Sequence, residues 1–114
     1  MKEKPRYFVY VLRLGNGSLY TGCTRNIDAR LRGHLKGSAS RCTRSFPPVE
    51  VAACWEVPGG RGEAMSLEAF IKGRSRPEKE ILLRTPGVLA RSYGDKTGRR
   101  LTAKPLSPLP VLPS

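Results

Sequence analysis

Tyr7-Phe8-Val9-Tyr10-Val11-Leu12 is apolar on both alternating faces, rich in aromatic and β-branched side chains, and closed by Arg13. That pattern predicts a strand covered on both sides of a sheet. Gly15-Asn16-Gly17 follows, and residues that tolerate positive φ mark a hairpin turn there, returning Ser18 to Cys23 antiparallel to the first strand. Ile27, Leu31 and Leu35 then recur at i, i+4 and i+8, predicting a short helix to about Lys36 with Asn26 as N-cap and Asp28 in its first turn. Residues 37–48 are small, polar and proline-ended, the composition of a loop. Val49 to Val57 reads as a third strand, broken by Pro58-Gly59-Gly60.

Helical spacing resumes from Glu63 through Ala64, Leu67, Phe70 and Ile71 and stops near Gly73. Ser75, Pro77 and Glu78 supply the cap, first-turn proline and N3 carboxylate of a further helix, which runs to about Leu83. The order β-β-α-β-α-α predicts an α+β fold, with helices flanking a small, three-stranded, mostly antiparallel sheet. Residues 1–85 form the expected domain. Residues 86–114 are expected to be a basic, proline-rich, irregular tail, whose last ten residues hold four prolines and no charge.

Charge changes the picture. Of 114 residues, 21 are Lys or Arg and 9 are Asp or Glu, a formal net charge of +12. Residues 1–83 carry 15 basic and 8 acidic residues, and residues 84–114 carry 6 and 1, so the excess belongs to the domain as well as the tail. Such a surface attracts polyanions, nucleic acid foremost. No apolar stretch approaches the ~20 residues of a membrane helix, and the apolar run at residues 7–12 is too short for a secretory signal, so the expected compartment is the cytoplasm. Cys23, Cys42 and Cys54 are widely spaced and there is one histidine. That supports neither a zinc site nor a disulfide framework, and the cysteines read as free, buried thiols.

Two polar placements stand out. Arg30 and His34 are i, i+4 neighbours at the rim of the apolar stripe of their helix. Glu68 falls within the arc of Ala64, Leu67 and Ile71, where a carboxylate is costly unless it is paired or holds a cation. Spacing alone leaves two readings open. Arg30 and Glu68 could form a structural ion pair with Tyr10 and Tyr20 as core aromatics, or all five could form one reactive cluster.

Phe8-Val9-Tyr10, followed by Tyr20-Thr21-Gly22, resembles the two-tyrosine signature of the GIY-YIG nuclease superfamily, although the first motif keeps only its tyrosine. Arg30, ten residues after Tyr20, and His34 in Arg-Leu-Arg-Gly-His fit that superfamily's arginine and histidine. Glu68-Ala69-Phe70-Ile71-Lys72 and Ser75-Arg76-Pro77-Glu78-Lys79 resemble its glutamate helix and the helix after it, as found in compact, stand-alone bacterial members. The resemblance covers residues 6–83.

It implies an endonuclease, a hydrolase of DNA phosphodiester bonds that depends on Mg²⁺ or Mn²⁺ and is structure-selective or weakly sequence-specific, acting in DNA repair or processing. Its catalytic residues would be Tyr10 as base or water-orienting group, Tyr20 to bind phosphate or position the water, His34 to assist proton transfer or grip a phosphate oxygen, Arg30 as phosphate fork, and Glu68 as metal ligand. Gly22 would be structural, giving the backbone room. Arg41, Arg44, Lys72, Arg74 and Arg76 are candidate contacts to the DNA backbone, whether branched, flap or single-stranded. A protein partner or homodimer is compatible with so small a domain. The competing classes are a non-catalytic nucleic-acid-binding module of the same fold and a structural domain whose charge is incidental.

Overall fold

The computed structural model describes residues 6–113, so Met1–Pro5 and Ser114, at the ends of the two expected segments, lie outside the described residues. The first strand, β1 (Arg6–Leu14), pairs antiparallel with β2 (Leu19–Thr24) through the expected turn, where Gly17 takes φ +84° and its N–H reaches the Leu14 carbonyl at 2.9 Å. Asn16 tightens that turn by accepting from the Ser18 backbone N–H at 3.1 Å. The other edge of β1 pairs with β3 (Pro48–Pro58). A two-residue strand, β4 (Lys104–Pro105), extends the sheet beyond β3 and makes the order β2-β1-β3-β4, with every neighbour antiparallel. The class is α+β as expected; the fourth strand comes from the segment read as tail.

Because β1 is central, its two faces seed two clusters. Val9 and Val11 meet Ala53, Trp55 and Val57 of β3 beneath Ala64, Leu67 and Ile71 of α3 (Arg61–Lys72). Tyr10, Leu12 and Leu14 meet Leu31 of α1 (Ile27–Lys36), together with Val51 and Cys54. The register between β1 and β3 shifts between Val11 and Leu12, which leaves Ala52 as an extra residue. Such a bulge reverses the alternation, so Val51 joins Cys54 on the Tyr10 side instead of facing the Ala53 side. The capping box appears as predicted at α4 (Arg76–Arg84): Ser75 Oγ accepts from the Glu78 N–H and Glu78 Oε1 accepts from the Ser75 N–H.

Two expectations are corrected. The stretch 37–48 contains one short helix, α2 (Arg41–Ser45), capped by Ser40. The segment from Pro86 is not irregular throughout: a single 3₁₀ turn at Pro86–Val88 leads into α5 (Leu89–Thr97). Leu89, fully buried, and Tyr93 enter the α3 cluster, Tyr93 edge-on to Phe70 at 5.3 Å between ring centroids. The buried Trp55 Nε1–H donates to the Pro86 carbonyl at 2.8 Å. Apolar surface on α3 and α4 drives this docking, because a sheet face covered by two helices alone would leave Phe70 and Leu82 wet. Beyond α5 the chain has little regular structure, yet Leu106 and Leu112 pack on the Tyr10 face, and the Leu106 N–H reaches the Cys54 carbonyl at 2.9 Å. No helix of the described residues is long and apolar enough to cross a membrane.

A fully buried leucine truncated to alanine costs about 2–5 kcal/mol. Leu89→Ala is therefore expected to lower the urea midpoint by that equivalent. A change under about 0.5 kcal/mol, typical of surface positions, would show that α5 is not part of the core.

Candidate active site

Tyr10 lies across the strand pair from Gly22, its direct partner in the register. A Cβ on Gly22 would stand 2.5 Å from Tyr10 Oη and 2.7 Å from Cζ, so the missing side chain is the space the phenol occupies. Gly22 makes room inside β2 for the Tyr10 ring, and not for backbone at the passage into α1. From that position Tyr10 Oη meets His34 Nε2 at 2.7 Å, and His34 Nδ1 meets Thr43 Oγ1 at 2.8 Å. Tyr10, His34 and Thr43 have no exposed surface. Tyr20, half-buried, stands edge-on to His34 at 5.0 Å and tilted to Tyr10 at 6.4 Å between centroids.

His34 is thus in the buried face of α1 and not at its rim, while Leu35 turns outward. The reason is satisfaction: both ring nitrogens have partners, so the imidazole can leave water where an unpaired one could not. Burial first, and the neighbouring Arg30 second, lower its pKa from 6.5 to about 4, so it is neutral at pH 7. Burial likewise raises the Tyr10 phenol well above its ordinary range, Tyr20 adding to the rise and Arg30 opposing it. The phenol, not the phenolate, is the resting form.

Arg30 and Glu68 share one cleft of about 560 Å³ at the β2 edge, lined also by Cys23, Arg25, Arg61 and Met65. Arg30 further borders a second hollow of about 490 Å³ walled by Ala29, Gly33, Ser38 and Ala39. The expected alternative of an Arg30–Glu68 ion pair does not form: Glu68 Oε2 lies 2.7 Å from Lys72 Nζ, one helical turn on, and Arg30 has no ion-pair partner among the described residues. The Glu68 side chain keeps 20% of its surface exposed, facing solvent rather than the apolar core. It is the only carboxylate lining a cleft with three arginines. Among the described residues no three His, Cys, Asp or Glu converge to cage a metal. One carboxylate in an open cleft, with room for waters and a phosphate, suits Mg²⁺ or Mn²⁺ and not a closed zinc site.

The remaining expected contacts divide. Arg41 and Arg44 are exposed on α2 and make no ion pair among the described residues. Arg74 stacks on Phe70 at 4.4 Å and pairs with Glu78, while Arg76 donates to the Gly17 carbonyl at 3.0 Å and pairs with Glu80. Lys72 is held by Glu68. Of the thiols, Cys54 is buried, Cys23 half-buried and Cys42 exposed, so the expectation of three buried cysteines fails at α2, whose outward face Cys42 occupies. Burial and the neighbouring Glu68 push Cys23 up to about 11. The sequence reading passed over Arg25, Arg61 and Thr43. Arg61 was findable, seven residues before Glu68 and hence on the same helical face; Thr43 was hidden inside a stretch read as loop.

Comparison with known proteins shows the family of the chain. The GIY-YIG catalytic domain profile matches residues 6–81, and the chain belongs to the GIY-YIG family, whose domain is in general an endonuclease domain acting on DNA with divalent metal. Its relatives are UPF0213 proteins: BH0048 of Halalkalibacterium halodurans is 37% identical over 81 residues, covering 71% of this chain and 85% of that one. One from Nitratidesulfovibrio vulgaris is 41% identical over 86 residues, covering 75% and 77%. The solution NMR structure of UPF0213 protein BH0048 from Bacillus halodurans is 34% identical and superimposes with a TM-score of 0.48, covering 85% of this chain and 99% of that one.

Gly22→Ala forces the Tyr10 ring out of its place and is expected to cost about 1–3 kcal/mol, as overpacking does, read as a lowered urea midpoint. A stabilised variant would contradict the fit. A second expectation concerns pH. The unfolded chain protonates His34 near 6.5 and the folded one near 4, so between those values the unfolded state holds more protons and stability is lost as the pH is lowered. Wild type should lose stability relative to His34→Gln as pH drops from about 6.5 to about 4. Parallel curves from denaturant titrations would refute it.

Proposed function

We propose that this chain is a metal-dependent endonuclease that hydrolyses DNA phosphodiester bonds, selecting structure or a weak sequence preference, in DNA repair or processing. The observation that carries the reading is the cleft in which Glu68 stands alone among Arg25, Arg30 and Arg61. A cleft so charged attracts phosphate, and its single carboxylate invites a cation that the arginines would otherwise exclude.

Glu68 would hold the cation, which when bound would neutralise phosphate charge and lower the pKa of water. Arg30 presents its fork to the non-bridging oxygens as charge grows there. Tyr10 is the base in relay form. Its neutral hydroxyl accepts a proton from the attacking water while passing its own to His34 Nε2, so no free phenolate forms and the neutral imidazole ends protonated. The water oxygen bonds to phosphorus and the leaving oxygen departs with a solvent proton. Tyr20 packs against both rings and keeps exposed surface, so it is the side chain that yields when water and phosphate approach. Arg41 and Arg44, exposed and without ion pairs among the described residues, would contact backbone phosphates, and Lys72 would join them if Glu68 held a cation instead.

The test is cleavage of branched, flap and single-stranded DNA with Mg²⁺ or Mn²⁺. Arg30→Ala and Glu68→Ala are each expected to lower the rate by about 10²-fold or more, and chelation to abolish it. Salt-sensitive binding with no turnover on any substrate would replace the enzyme with a non-catalytic DNA-binding module. Cleavage surviving both substitutions would remove these residues from the reaction.

A further inference from the structure

The buried hydrogen-bond chain does not end at His34. Thr43 Oγ1 stands 2.8 Å from His34 Nδ1 and 2.8 Å from Ser40 Oγ, and it is fully buried. The short helix α2 exists in a form that delivers this hydroxyl: Ser40 caps it by accepting the Thr43 N–H at 3.1 Å, while its outward residues Arg41, Cys42 and Arg44 stay exposed.

Direction along the chain follows from counting hydrogens. A neutral phenol carries one O–H, and in a position without exposed surface it must donate it. Among the described residues the only hydrogen-bond partner of Tyr10 Oη is His34 Nε2, so that nitrogen accepts and carries no hydrogen. The hydrogen of the neutral imidazole then sits on Nδ1 and is donated to Thr43 Oγ1. Thr43 turns its own hydrogen to Ser40 Oγ, and Ser40, half-exposed, can place its hydrogen in solvent. The opposite arrangement, with Nε2–H pointing at Tyr10, would leave the phenol hydrogen buried and unpaired.

We infer that Thr43 is a positioning residue that, with Tyr10, holds His34 in one tautomer: Thr43 accepts the Nδ1 hydrogen that would otherwise be buried unpaired, so Nε2 stays bare and can receive the Tyr10 proton. The chain would then run Tyr10, His34, Thr43, Ser40, with its buried end at the Tyr10 phenol beside Tyr20 and its outlet at the surface of α2. A valine at position 43 keeps the shape and removes the oxygen; a serine keeps the oxygen. The assignment of a tautomer stands on hydrogen bonding alone, whereas its catalytic use rests on the proton relay proposed above.

The chain has one histidine, so the imidazole nitrogens of the tag-free protein give a single long-range proton–nitrogen NMR pattern. At pH 7 wild type and Thr43→Ser are expected to show hydrogen on Nδ1 and a bare Nε2, and Thr43→Val to lose that single-tautomer pattern. In DNA cleavage Thr43→Val is expected to fall by about 10–100-fold, as when other groups that orient a functional imidazole are removed, with Thr43→Ser near wild type. Hydrogen on Nε2 in wild type overturns the proposal without any variant. A folded Thr43→Val that keeps the wild-type pattern also overturns it. If the pattern is as expected and no form cleaves DNA, the nuclease reading fails while the tautomer assignment holds. If Thr43→Val alters the pattern and cleaves at the wild-type rate, the positioning role is refuted.

Discussion

The hydrogen bond between Tyr10 and His34 joins two polar groups that have each given up water, and neither could stay buried without the other. Its consequences spread through the fold. Gly22 must lack a side chain so that the phenol can lie across β2. The buried face of α1 must pass through position 34 and not 35. The chain after α1 must also fold back as α2 to supply an oxygen for the second ring nitrogen. An unsatisfied buried polar group costs about 1–3 kcal/mol, a large fraction of the stability of a domain this size. The two tyrosine motifs, the first helix and the stretch after it are therefore coupled by hydrogen bonding and not just by packing.

Beside this dry chain lies a wet, charged one. The net charge of +12 is spread over the surface, but in the β2-edge cleft three arginines surround a single carboxylate. Lys72 pairs with that carboxylate one helical turn on, an i, i+4 contact at the mouth of the cleft. In the proposed function a divalent cation would compete with Lys72 for it. In the proposed mechanism proton handling would fall on the buried side and charge neutralisation on the open side, with Arg30 at the boundary. It lines the cleft and, by its charge, helps hold His34 neutral.

Strand and helix periods made six of the first seven elements, all but α2, and the class of fold legible, because β1 is apolar on both faces and Ser75, Pro77 and Glu78 spell a helix start locally. What stayed hidden depended on tertiary partners. Helix α5 has Gly94, Asp95 and two serine or threonine residues, and only the exposed side of α3 makes Leu89 and Tyr93 core residues. His34 looked like a rim residue because helical angles count apolar neighbours and cannot see Tyr10 or Thr43 waiting across the gap. The residues of the cleft were half legible: Arg30 and Glu68 stand in motifs, and Arg61 stands two turns before Glu68. Arg25 has no spacing signal, and only the path of β2 into α1 brings it to the same opening.

Crystals soaked in Mn²⁺ and recorded at the manganese absorption edge would locate the cation directly. The account predicts an anomalous peak on the Glu68 carboxylate, with Lys72 turned away and Arg30 facing the same opening. A peak on another carboxylate, or none at Glu68 in crystals that diffract well, would contradict the claim that this glutamate brings the metal to the DNA.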